Sequence, residues 1–496
     1  MKLNPKKIKT LGELKEAGYQ SRSIKDELRE NLINKIQSKE KLFDGILGYD
    51  DTVLPDIERA ILSRHNIILL GLRGQAKTRI ARQMTELLDE YIPYVRGSEL
   101  NDDPLNPLSV FSRELIEEHG DDTQIKWLHR SQRYSEKLAT PDVSVADLIG
   151  DLDPIKAANQ RLSYSDERVI HFGLIPRSNR HIFVINELPD LQARIQVALF
   201  NILQEGDIQI RGFKLRLPLD MQFVFTANPE DYTNRGSIVT PLKDRVESQI
   251  LTHYPKTLEI SRSITEQETQ ITEEQKSMVY IPELAKNIIE QVAIQARDSE
   301  YIDNKSGVSA RLTISAYENL ISAAERRSYI LGEKNSAVRM SDFWGIIPAI
   351  TGKIELVYEG EQEGPYIVAQ NLIGKAIRAE FLKYLPDPDG MKKRKKEGVD
   401  PYAEIKNWFG EGNVVEVLND LPSKKYLEKF NEIPHLRKLV LSYFKNASKE
   451  DIPFLMEFTI HGLAEFSQLS KNIIESGISF KDLLSSVFTM ENDEEF

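Results

Sequence analysis

The chain has 496 residues, 40% hydrophobic and 29% charged, a balance that suits a globular protein of two to four domains of roughly 100 to 200 residues each and excludes disorder throughout. The net charge of −12 argues against a nucleic-acid partner, which would need a basic face. The absence of cysteine excludes disulfides, thiolate metal sites and a cysteine nucleophile. Neither the basic residues 1–10 nor any later stretch is followed by the apolar run that export or a membrane span requires, and a cytoplasmic location is expected.

In chain order, residues 23–36 open with a Ser-x-x-Asp capping pattern and carry Ile24, Leu28, Leu32 and Ile36 at helical spacing. They read as an amphipathic lead-in within residues 1–40. Residues 41–256 then alternate short apolar runs with helical patterns, the signature of an α/β core with a five-stranded parallel sheet. The expected strands are 67–70, 94–96, 182–185, 223–227 and 249–252. An α-helical lid is expected over 257–385, where the apolar period becomes helical. Two prolines and a glycine at 386–390, next to the basic run 392–396, mark 386–400 as a linker. An α-helical C-terminal region follows over 401–496.

Between the first expected strand and a helical pattern at Ile80, Met84, Leu87 and Leu88 lies Gly71-Leu72-Arg73-Gly74-Gln75-Ala76-Lys77-Thr78. A phosphate site needs backbone N–H groups turned toward one point, a helix start behind them and a lysine in reach, and this loop has the sequence for all three. Lys77 is expected at the β and γ phosphates of ATP and the Thr78 hydroxyl at Mg²⁺. Ala76 stands where a glycine is usual, acceptable if that position is helical.

The strand at 182–185 ends in Asn186-Glu187 and resembles a Walker B motif. Glu187 is expected to polarise the attacking water, and Asn186, in the usual place of an aspartate, to meet a Mg²⁺-bound water through its amide oxygen. The plain alternative is that the pair caps the next helix. Asn228 is delivered to the same edge by the strand at 223–227, either as a phosphate sensor or as a turn former. Pro241-Leu242-Lys243-Asp244-Arg245 puts Arg245 forward as an arginine finger, with a surface salt bridge as the alternative. In the lid, Ser309 is expected to cap a helix that begins near Arg311, a candidate second sensor. Ile46-Leu47-Gly48-Tyr49 is a candidate wall for the adenine.

Together these motifs resemble the AAA+ class. Within it the chain looks most like the magnesium-chelatase I subunit and MoxR, over roughly residues 40 to 350. Asp147-Leu148-Ile149-Gly150-Asp151-Leu152-Asp153, His171-Phe172-Gly173-Leu174-Ile175-Pro176-Arg177 and Thr226-Ala227-Asn228-Pro229-Glu230 carry that likeness alongside the phosphate loop and Leu242-Lys243-Asp244-Arg245. The resemblance implies a partner-contacting insertion around 145–177, a hairpin at 207–217, a homo-oligomeric hexameric ring, and a partner protein with a von Willebrand A domain. The function expected is ATP hydrolysis that remodels or gates that partner. An ATP-gated assembly module with little hydrolysis is the alternative. A transcriptional activator of the sigma-54 type lacks its Gly-Ala-Phe-Thr-Gly-Ala loop here, and a DNA motor would need more than one dense basic run.

Overall fold

Ile67-Ile68-Leu69-Leu70 is apolar at every position, and all four side chains are buried, as befits a strand covered on both faces. In the computed structural model, which describes residues 5, 7–161, 166–205, 217–228, 238–303, 305–393, 400–474 and 477–483, this run is β1 of a five-stranded parallel sheet. The other strands are β2 (Tyr134–Leu138), β3 (Ile182–Asn186), β4 (Gln222–Ala227) and β5 (Ser248–Leu251), in the order β2-β3-β4-β1-β5. Alternate residues serve opposite faces. Ile68, Leu70, Phe183, Ile185, Phe223 and Phe225 enter one apolar core, and Ile67, Leu69, Ile182, Val184 and Val224 enter another with Leu28, Leu32, Ile57 and Ile80.

One expected strand is elsewhere. Residues 94–96 overlap the strand Tyr91–Val95, which pairs antiparallel with Ile125–His129 outside the main sheet. The missing edge strand is β2, whose Ser135, Glu136 and Lys137 form no apolar run because an edge strand leaves one side to water.

The lead-in helix is Ile24–Ser38, with the Ser23 side chain accepting from Asp26 N as its cap. Its Glu27 takes a bidentate pair from Arg133 at 2.6 and 2.7 Å, both residues almost fully buried. Arg133 also donates to Arg180 O at 3.0 Å. Ile24 N donates to Asp220 Oδ2 at 2.8 Å, which ties the helix to the chain just ahead of β4.

Burial pushes the Asp220 carboxyl up to about 6, against the opposing pull of the Ile24 N–H, Arg180 and Arg133. An acid whose folded pKa is raised holds its proton more tightly when folded. Its contribution is therefore complete below about pH 4 and lost as pH rises through about 6. Asp220→Asn keeps the acceptor without the charge. Its unfolding free energy is expected to match the wild type near pH 4 and exceed it by on the order of 2 kcal/mol at pH 7. Denaturant unfolding across that range checks this, and a gap independent of pH counts against it.

The chain divides into two compact units, Met1–His253 and Tyr254–Phe496. The second is largely helical, as expected, with Glu283–Arg297, Arg311–Leu331, Pro365–Tyr384 and Asp451–Glu465 as its longest helices. It also holds an antiparallel sheet of Val415–Leu418, Gly477–Lys481 and Ser470–Ile474, in that order. One apolar core runs from Val279 to Phe480, so the segments expected as lid and C-terminal region share it. Within the expected linker, Pro388–Lys393 is helical, and the buried Tyr402 beyond it donates its hydroxyl to Pro386 O at 2.7 Å. No helix among the described residues is long and apolar enough to cross a membrane.

Candidate nucleotide site at the carboxyl edge of the sheet

Strand register decides what meets at this edge. Leu70 lies opposite both Ala227 and Leu251, and Ile185 opposite Phe225. The residues that follow, Gly71, Asn228, Thr252 and the pair Asn186-Glu187, therefore gather at the ends of four adjacent strands. Gly71 has no room for a side chain, since a Cβ there would come within 1.9 Å of Thr252 Oγ1 and 2.2 Å of Gln75 Oε1. The loop turns through Gly74 and Ala76, with φ of 75° and 58°, into the helix Lys77–Gln83. Ala76 is thus left-handed, contrary to the helical conformation that would suit alanine, at a cost of roughly 1 to 2 kcal/mol.

Lys77 is buried, and its Nζ donates to Gly71 O, to Leu72 O at 3.0 Å and to Asn228 Oδ1 at 2.9 Å. Asn228, also buried, donates through Nδ2 to Glu187 Oε2 at 3.3 Å. Asn186 Oδ1 accepts from Thr78 Oγ1 at 3.4 Å and from Thr226 Oγ1 at 3.2 Å, and Glu187 N donates to Thr226 Oγ1 at 3.2 Å. Lys77, Thr78, Asn186, Glu187 and Asn228 are thus one hydrogen-bonded set. Glu187 makes no side-chain cap to the turn after it and is itself left-handed, with φ of 56°, so the capping alternative does not account for it. Positive φ at two non-glycine residues of one small site is the kind of strain that surrounding structure must hold in place.

This donor and acceptor set fits a nucleotide with its cation. The Lys77 ammonium would carry the countercharge to phosphate, and the Thr78 hydroxyl with the Asn186 amide oxygen offers hard ligands to Mg²⁺.

Arg245 ends the helix Thr240–Arg245, donates back to Pro241 O at 2.8 Å and lies 5.2 Å over the Phe200 ring. Neither of these contacts joins it to the hydrogen-bonded set. Arg311 belongs to the second unit, exposed at the start of Arg311–Leu331, and its N–H donates to Ser309 Oγ at 3.1 Å. The expected hairpin at 207–217 lies, up to residue 216, outside the described residues. Residues expected in the partner-contacting insertion form the short antiparallel pair Gly150–Leu152 and Ile170–Phe172.

Two hydroxyls escape the sequence reading as contributors. Thr226 orients Asn186, and Thr252 bonds the loop residue Gln75 at 2.6 Å. Their only signal is a threonine at, or just past, the end of a strand. Tyr49, in the segment expected to wall the adenine, lies buried with its hydroxyl donating to Gln75 O and His253 O.

Residues 124–246 match the family model of the AAA domain of the dynein-related subfamily. No curated protein matches the chain. Among solved structures, a candidate ATPase from Cytophaga hutchinsonii is 18% identical over 74% of this chain and 98% of its own, with a TM-score of 0.29. A chain from the complex of the BchI and BchD subunits of magnesium chelatase is 18% identical over 64% and 98%, with a TM-score of 0.32. Hsp104 bound to ATPγS and casein is 12% identical over 63% and 50%, with a TM-score of 0.36. Residues 124–246 are thus similar to an AAA domain, and the five-stranded parallel sheet to which they contribute is in keeping with that match.

Proposed function

We propose that the first unit binds ATP with Mg²⁺ on Gly71, Leu72, Arg73, Gly74, Gln75, Ala76, Lys77 and Thr78 and hydrolyses it, driving a ring of copies that remodels a partner protein. The observation that carries this is the continuous path from Lys77 through Asn228 to Glu187. On this reading Lys77 would reach the β and γ phosphates, Asn228 would stand between phosphate and water, and Glu187 would orient the water for attack. Mg²⁺, held by Thr78 and Asn186, would neutralise charge building on the phosphates. Arg245 is proposed to enter the site of a neighbouring copy, and Arg311 to report the nucleotide to the second unit. A hexamer and a partner with a von Willebrand A domain follow from the resemblance. Sedimentation with and without ATP tests the ring, and a monomer under both conditions sinks it.

A second reading, an assembly module that binds ATP and turns it over slowly, is favoured by Asn186, whose amide brings no negative charge to the cation. Asn186→Asp separates the two. The added carboxylate is expected to tighten Mg²⁺ dependence and raise turnover about tenfold, in line with a charge-assisted contact of roughly 1.5 kcal/mol. A variant no faster than the wild type removes the claim that this amide limits hydrolysis.

A further inference from the structure

The proposed chemistry leaves one group of contacts at the loop unused. Gln75 is buried at 6% exposure, inside the phosphate loop itself. Thr252 Oγ1 donates to its side-chain Oε1 at 2.6 Å, while the Tyr49 hydroxyl shares its proton between Gln75 O at 3.2 Å and His253 O at 2.8 Å. Thr252 is anchored in turn by its N–H to Leu70 O at 2.8 Å. The Tyr49 and His253 rings meet edge to face at 5.0 Å, and Thr52 Oγ1 lies 2.9 Å from His253 Nε2. One loop residue is thus gripped from two directions, by its side chain and by its carbonyl. The residue beside the grip is Gly71, where no side chain could enter.

We propose that Thr252 and Tyr49 are positioning residues which, acting through Gln75, hold the phosphate loop in its receiving form. Nucleotide affinity is then set by the end of β5 as well as by the loop. The inference rests on the ATP reading above. A loop with positive φ at Gly74 and again at Ala76 has other conformations open to it, and ordering it on binding would cost affinity. The brace removes that cost in advance. It also ends on His253, the last residue of the first unit, from which the chain passes to the second.

Mg·ATP titration of the full chain tests this with Thr252→Val, Thr252→Ser, Gln75→Met and the Val/Met double variant. Loss of one hydrogen bond predicts about a fivefold rise in Kd for Thr252→Val and for Gln75→Met. Thr252→Ser is expected to restore the affinity. The double variant is expected to be no weaker than either single one, because both remove the same contact. Unliganded melting temperatures should fall by no more than the loss of one hydrogen bond implies, and Thr252→Ser should restore them as well. Wild-type affinity in Thr252→Val, multiplicative losses in the double variant, or failure of Thr252→Ser to restore affinity each overturn the proposal. If the wild type and Lys77→Ala both fail to bind Mg·ATP, the ATP reading falls first and takes this inference with it.

Discussion

Replacing Lys77 with alanine is expected to weaken Mg·ATP binding by roughly 30- to 150-fold. Gly71 O, Leu72 O and Asn228 Oδ1 are neutral acceptors for this ammonium, and a polyphosphate competes for the same protons with full negative charge. Charge-assisted hydrogen bonds are roughly twice as strong as neutral ones, and removing one partner of such a contact costs about 2 to 3 kcal/mol. A thermal-shift titration reads the effect directly, since a ligand that binds only the folded state raises the melting temperature with its concentration. An upshift in Lys77→Ala equal to that of the wild type would remove the loop from the site.

Glu187→Gln is expected to separate binding from hydrolysis. The amide keeps size, backbone conformation and an oxygen facing Asn228 Nδ2, so nucleotide affinity should hold within a few-fold. It cannot act as a base, and positioned proton transfer contributes typically 10² to 10⁴ in rate. Phosphate release should therefore drop by roughly that factor while Mg·ATP still protects the fold. Turnover unchanged in this variant would reassign the water-activating role. In the slow-module reading the wild type is already near the variant's rate, and Asn186→Asp then shows whether the missing charge is the reason.

How much of this is legible in the residues depends on whether the signal is local. The phosphate loop is recognisable because its glycines, lysine and threonine are contiguous and flanked by a buried strand and a helical pattern. Asn186-Glu187 and Asn228 are found for the same reason, each closing an apolar run. Thr226 and Thr252 are not, because a threonine at a strand end carries no mark of what it faces. The edge strand β2 hides behind Ser135, Glu136 and Lys137, whereas Tyr91–Val95 has the apolar look of a sheet strand and pairs elsewhere. The four-residue strand Val415–Leu418, alternating buried and exposed, is too short for its period to stand out within a helical region.

The sequence by itself determines that a glycine-containing loop ending in Lys77-Thr78 stands at the end of a buried strand, and the order in which polar residues return to that edge. Only the tertiary structure decides that Lys77, Asn228 and Glu187 lie within hydrogen-bond reach, because strand register and crossover link residues that are 151 and 41 positions apart. It alone decides, too, that Ala76 and Glu187 are left-handed. An L-residue avoids that conformation on its own, and it holds here where the folded surroundings impose it.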